Sequence, residues 1–172
     1  MKGTENTWMR KTGLTVKAIT LACLIQAIIS GIAFADLHGR VVKVLDGDTI
    51  EVLQSTSERS RIRLSGIDAP EKNQAFGQRS RQFLSSRLAQ QLVTISGNET
   101  DRYGRLLGTV WLNGQDVNAL QVQNGMAWAY RYQGKASNSA YLAMEQEARK
   151  QKKGLWTDPD PVEPWKWRMK NR

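Results

Sequence analysis

The stretch from Leu37 to Leu53, LHGRVVKVLDGDTIEVL, decides the fold. Apolar and polar residues alternate on both sides of Asp46-Gly47, with Val42, Val44, Ile50 and Val52 as the apolar positions. Period-2 alternation belongs to a half-buried strand, and Asp-Gly is a strong tight-turn signal, so the stretch predicts a β-hairpin. Just downstream, Ser60–Ile67 (SRIRLSGI) predicts a third strand, with Ile62 and Leu64 on one side and Arg61 and Arg63 on the other.

The rest of the chain extends this β unit. AFGQRSRQFLSSRLAQQL, from Ala75, has helical spacing with Phe76, Phe83, Leu84 and Leu88 on one face. LVTISG and RLLGTVWLNG read as two more strands, the second ending in Asn113-Gly114. DVNALQVQNG predicts a short helix closed by Gly125, and SNSAYLAMEQEARKQKKG predicts a last one. That helix has Ser137 as N-cap, lysines in its final turns and Gly154 as its stop. The remaining tail contains Pro159, Pro161 and Pro164, which forbid a helix through Asp158–Pro164. It reads as an extended arm laid on the domain through Trp156, Trp165 and Trp167. The order β-β-β-α-β-β-α-α implies an α+β protein with a mainly β core: a five-stranded, OB-fold-like closed barrel with three α-helices.

Composition narrows the chemistry. The chain has 172 residues, one domain's worth, and a formal charge of +9. Residues 1–35 carry Lys2, Arg10, Lys11 and Lys17 against Glu5. Basic residues there precede the apolar run Ala18–Ala35, which ends in Ala33-Phe34-Ala35, the small-x-small pattern of a cleavage site. Residues 1–35 are therefore expected to be a signal peptide cut after Ala35, and the protein to be exported, periplasmic or secreted. An uncleaved membrane anchor is the alternative, weakened by Gln26, Ser30 and Gly31. Without this segment the chain keeps 21 basic and 15 acidic residues, a net of +6, which favours a polyanionic partner.

Cys23, the only cysteine, lies within that segment, so the mature chain has no thiolate or disulfide. His38, the only histidine, falls at the mature N-terminus, a poor place to hold a catalytic group. Hydrolytic chemistry would then rest on carboxylates, arginines and an oxygen-bound metal.

Candidates for that chemistry recur along the chain. Asp46 and Asp48 flank Gly47, and Asp68 and Glu71 flank Pro70 in SGIDAPEKN. Singly, each pair reads as an ordinary turn. If the hairpin neighbours strand three, Asp48 and Asp68 converge, and two carboxylates with a backbone carbonyl suit a hard cation such as Ca²⁺. Arg63 and Arg105, each unremarkable alone, would form a bidentate phosphate clamp beside that cation. Trp128, Tyr130 and Tyr132 alternate in AWAYRY and would share one side, where they could stack on a base or sugar; for Trp128, core or interface packing is at least as good a reading. Tyr103, next to Arg105, is the better candidate for lining the cleft.

Taken in order, VLDGDTIEV, RIRLSGIDAPE, DRYGR, GMAWAYRY and a Glu- and Lys-rich helix ending in KGLW resemble the thermonuclease (staphylococcal or micrococcal nuclease-like) family. The resemblance spans about Gly39 to Trp156. It implies a nuclease domain over residues 36–157, followed by a Pro/Trp-rich tail at 158–172. It also implies a Ca²⁺-dependent endonuclease that cleaves DNA and RNA with low sequence specificity and leaves 3′-phosphate ends. By the same resemblance Asp48, Asp68 and the backbone carbonyl of Ala69 hold the metal, with Ala69 replacing the family's usual threonine. Arg63 and Arg105 bind phosphate, Glu71 is the catalytic glutamate, and Tyr103 and Tyr130 contact the nucleotide. Lys72 is the only cation in a loop that is basic and longer in the family. A monomer without a stable protein partner is expected, touching membrane only through an uncleaved signal segment. The alternatives are a non-catalytic OB-fold module that binds nucleic acid, and an envelope protein that uses its tryptophan tail as a contact.

Overall fold

Strands β1 (Leu37–Val44), β2 (Thr49–Gln54) and β3 (Arg59–Leu64) form an antiparallel meander, as the alternation predicts. The computed structural model describes residues 36–171; the expected signal peptide, with Cys23, lies outside the described residues. A two-residue strand β4 (Ile67–Asp68) precedes helix α1 (Gly77–Leu88), and β5 (Leu92–Thr100) and β6 (Leu106–Leu112) complete the barrel. β5 pairs with β1, β6 pairs with β5, and a parallel pairing of β3 with β6 closes the five-stranded sheet on itself. Short β7 (Gln115–Asp116) extends β6 through Asn113-Gly114. Both turn residues have positive φ, as a tight hairpin turn requires.

Helix α2 (Val117–Gln123) and helix α3 (Ser139–Lys150) cover one end of the barrel. Between them, β8 (Trp128–Ala129) pairs with β4, and β9 (Arg131–Tyr132) pairs with β10 (Lys135–Ala136). The main core joins Ile50, Val52, Ile62 and Leu64 of the meander to Leu84 and Leu88 of α1 and Ile95 and Val110 of β5 and β6, all essentially fully buried. A second cluster holds Trp128, Ala148, Leu155 and Trp156, with Phe76 and Trp165 packed against it.

Several expectations need correction. Val41, not Val42, is the core residue of β1, because a bulge between Val41 and Lys43 shifts the phase by one residue. Gly47 is needed for space rather than for positive φ. A Cβ there would run into Ser80 Oγ and come within 2.7 Å of Ala69 Cβ. Asn138, not Ser137, caps α3, accepting from the N–H groups of Ala140 and Tyr141. Phe76 precedes α1 in the left-handed conformation and Phe83 is only partly buried, so the buried face of that helix is Gly77, Ser80, Leu84 and Leu88.

The tail is not extended throughout. A 3-10 turn (Gly154–Thr157) is followed by the proline-rich segment and then a fourth helix, α4 (Pro164–Lys170), in addition to the expected three. Pro164 starts that helix, where a missing N–H costs nothing.

Candidate active site

The barrel's closure assembles one cleft of about 870 Å³ at the edge where β2, β3 and β6 meet. β2 pairs Thr49 with Arg63 on β3, which brings Asp48 beside Arg63, and the N–H of Leu64 donates to the Asp48 carbonyl at 2.8 Å. The parallel β3–β6 pairing sets Arg63 against Leu107, so the Asp101–Arg105 turn that leads into β6 overhangs the same place. Buried Asn118 holds this corner together: it accepts from the N–H of Val110 and donates to the carbonyls of Ser65 and Gly108.

Asp48 and Asp68 converge as the sequence predicts. One nitrogen of Arg63, Nη2, lies 3.1 Å from Asp48 Oδ2 and 3.0 Å from Asp68 Oδ1. The other, Nη1, donates to the carbonyls of Leu64 and Ile67. Both carboxylates are buried. Burial pushes Asp48 up to about 6; Arg63 opposes the rise and Asp46 adds to it. Burial also raises Asp68, against the hydrogen bond from Arg168. The N–H of Ala69 donates to Asp48 Oδ2 at 2.6 Å, tying the turn after β4 to the β1–β2 loop. Asp46 Oδ1 in turn accepts the N–H of Asp48, which fixes that loop as an Asx turn.

The remaining candidates fall around this pair. Glu71 lines the cleft and is half-buried, with Oε1 2.7 Å from Arg168 Nη1. Its own N–H donates to Gln74 Oε1, and Gln74 in turn donates to the Val162 carbonyl at 2.6 Å, joining the Glu71 loop to the tail. Arg105 is held by Asp101: Nε at 2.8 Å and Nη2 at 2.7 Å from Oδ2, while Oδ1 accepts the N–H groups of Tyr103 and Arg105. Tyr103 is exposed and lies under the guanidinium groups of Arg102 and Arg105. Tyr130 borders the cleft, but Trp128 does not share its side. Trp128 is buried against the Trp156 ring; the segment is not one continuous strand but two two-residue strands, β8 and β9, with different partners, and the alternation does not carry across them.

Two arginine-related residues in the cleft were missed by the sequence reading. Asp101 sits four residues before Arg105 in DRYGR, a spacing that suits an Asx turn plus an ion pair. Arg168 comes from α4, 100 residues beyond Asp68. It forks onto both oxygens of Asp68, Nη1 to Oδ1 at 3.1 Å and Nη2 to Oδ2 at 2.8 Å.

The donor set fits a hard divalent cation. Asp46, Asp48, Asp68 and Glu71 supply oxygen only, and the cationic Arg168 already stands on the inner pair's open side. Among the described residues, no three His, Cys, Asp or Glu side chains form a ready-made cage. A cation here would need to complete its shell with backbone oxygen, such as the Ala69 carbonyl, and with water or substrate oxygen.

Comparisons with known proteins bear on this geometry. The family described as staphylococcal nuclease homologue matches residues 61–158. The chain is 47% identical over 161 residues to a protein named micrococcal nuclease from Shigella flexneri, covering 88% of this chain and 92% of that one. It is 48% identical over 159 residues to Protein ParB of Escherichia coli, covering 87% and 89%. A more distant relative, the staphylococcal-like nuclease CAN1 of Arabidopsis thaliana, is 34% identical over 116 residues, 67% of this chain and 35% of that one.

Proposed function

The chain belongs to the staphylococcal nuclease homologues, and from that membership we propose that it is a Ca²⁺-dependent endonuclease hydrolysing DNA and RNA with low sequence specificity. The observation that carries this reading is the convergence of Asp48 and Asp68 on a single nitrogen of Arg63, at 3.1 and 3.0 Å. Asp48, Asp68 and the Ala69 carbonyl would hold the metal. Bound there, Ca²⁺ supplies a Lewis acid for a phosphate oxygen.

The chain's own residues do the rest. Arg105, oriented by Asp101, presents a planar fork to the phosphate and stabilises the charge that grows on it. Arg63 joins it from the floor of the cleft. Glu71 is exposed enough to meet water, and it positions the attacking molecule and takes its proton. The P–O5′ bond breaks, the 5′-oxygen takes a proton from solvent to leave as a hydroxyl, and the 3′ end keeps the phosphate. Tyr103 and Tyr130 border the cleft as stacking surfaces, which suits any base and reads none. Export to the periplasm or medium follows from the segment before residue 36.

Hydrolysis of a labelled single strand, with Ca²⁺ and with chelator, tests the proposal in the parent and in Asp48→Ala, Arg63→Ala and Glu71→Ala. Activity should need Ca²⁺ and fall on the order of 10²-fold or more in each variant. Full activity in chelator, or unchanged variants, would sink it. Tight Ca²⁺-independent binding without product would favour the non-catalytic binding module.

A further inference from the structure

We propose that Arg168 is a built-in counter-ion that competes with the metal for Asp68, so that docking of the α4 guanidinium and loading of the cation exclude one another. This rests on the Ca²⁺ reading above.

The geometry is that of a competitor rather than a distant support. Arg168 makes a two-pronged contact with the Asp68 carboxylate and a third contact with Glu71 at 2.7 Å. Asp68 is 1% exposed, so the cleft side is its only approach, and that side is covered by Arg63 on Oδ1 and Arg168 on both oxygens. A divalent cation drawing on Asp68 would lie within a few ångströms of the docked guanidinium, and like charges that close repel. Planar, delocalised guanidinium suits a carboxylate bidentately, so the competitor is a well-matched one.

The tail is built so that this contact can release while the rest stays attached. Leu155 and Trp156 anchor its start in the second core, Pro164 is buried, and Gln74 holds Val162. Beyond Pro164, α4 has only six residues, and among the described residues Arg168 is the one side chain of that helix that forms ion pairs to the barrel, with Asp68 and Glu71. At 41% exposure its side chain can move to water. The stiff Asp158–Glu163 segment would keep it close when undocked, at high effective concentration.

The mutually exclusive states make a measurable difference. If the docked arginine holds about nine-tenths of the metal-free molecules, its removal strengthens apparent metal affinity about tenfold. The experiment measures Ca²⁺ binding by calorimetry, without nucleic acid, in the parent, Arg168→Gln and Arg168→Lys. Thermal unfolding is followed in chelator and in saturating Ca²⁺, and tryptophan emission is followed during the titration, since Trp167 adjoins Arg168 and Trp165 packs nearby.

Arg168→Gln should bind Ca²⁺ about tenfold more tightly, lose stability in chelator and lose little in saturating Ca²⁺. Arg168→Lys, which keeps charge but cannot span both oxygens, should fall between. The parent's emission should change on Ca²⁺ addition, and the change should shrink in Arg168→Gln. Unchanged or weakened Ca²⁺ affinity in Arg168→Gln would overturn the inference and make Arg168 a support for Asp68. Equal destabilisation with and without Ca²⁺ would make it a mere helix anchor. Either result leaves the Ca²⁺ nuclease standing. No Ca²⁺ binding by the parent, with hydrolysis intact in chelator, overturns both.

Discussion

Asp101→Ala tests whether Arg105 works only when it is held. Asp101 binds Nε and Nη2 of Arg105 at 2.8 and 2.7 Å and caps the turn by accepting two N–H groups on its other oxygen. Alanine removes all four contacts and leaves the guanidinium present. A free arginine side chain recovers about 2 kcal/mol of rotamer entropy, which must be lost again when it grips phosphate. At about 1.4 kcal/mol per factor of ten, that is a loss of ~30-fold in kcat/KM. Removing the guanidinium itself, in Arg105→Ala, should cost on the order of 10²–10³. Since the two residues form one device, the double variant should be no worse than Arg105→Ala alone. Asp101→Asn keeps an acceptor for the turn and loses the charge, and should lie between parent and Asp101→Ala. Initial rates on a labelled oligonucleotide at saturating Ca²⁺ measure all four. A loss under threefold in Asp101→Ala, or losses that multiply in the double variant, would refute the reasoning.

Three further outcomes are expected. Glu145, 1% exposed, receives Arg131, Arg149 and the N–H of Ala129. Glu145→Gln should cost about 3 kcal/mol, the low end for a broken buried pair because both arginines are partly solvated, and lower the unfolding midpoint by ~10 °C, read by circular dichroism. Gly47→Ala pushes a Cβ into Ser80 and Ala69 beside Asp48. It should destabilise by about 1–3 kcal/mol and weaken Ca²⁺ binding together; normal stability would refute the packing reason given for that glycine. Asp48, raised from 3.8 to about 6, binds its proton more tightly folded than unfolded. In chelator its contribution to stability is therefore full below pH 3.8 and lost as pH rises through about 6. Asp48→Asn should flatten that slope in a pH series of thermal melts, and an unchanged slope counts against the assignment.

What the sequence could reveal follows from the range over which each force acts. The barrel strands were legible because alternation is local, and one buried face enforces it from β1 to β6. The error at Val42 arose where a bulge broke that period, and the shared side expected for Trp128, Tyr130 and Tyr132 was lost where two short strands with different partners replace one continuous strand. The convergence of Asp48 and Asp68 was legible because the hairpin's pairing with the third strand could be inferred, whereas Arg63 and Arg105 stood out only through the family resemblance. Asp101 carries a local signature, the four-residue spacing to Arg105 in DRYGR. Gln74 and Arg168 had none. Their partners lie 88 and 97 to 100 residues away, and only the folded chain brings them together. The tail was misread because three prolines suggested an extended arm, although Glu163-Pro164 before a run of helix-compatible residues also reads as a helix start.

The cleft's charge balance gives these residues a common meaning. In the structure, the cations nearest the carboxylates are occupied by them: Arg63 by Asp48 and Asp68, and Arg168 by Asp68 and Glu71. Arg105 alone of the three is held by an acid outside that cluster, Asp101. A phosphate arriving there would meet Asp46, Asp48, Asp68 and Glu71, four of the six acids that line the cleft. Its own charge is repelled unless those acids have a counter-charge that can also bind phosphate. Arg168 satisfies the first condition and leaves Glu71 tied up. A divalent cation held by Asp48 and Asp68 would satisfy both, and on the proposed mechanism Glu71 would then be free to meet water and Arg63 to meet the phosphate. On this argument Asp68 is the point where metal, tail and substrate are coupled. Asp68→Asn should then weaken Ca²⁺ binding and loosen α4 at the same time, with tryptophan emission in chelator resembling that of Arg168→Gln. Emission identical to the parent's would break the proposed link.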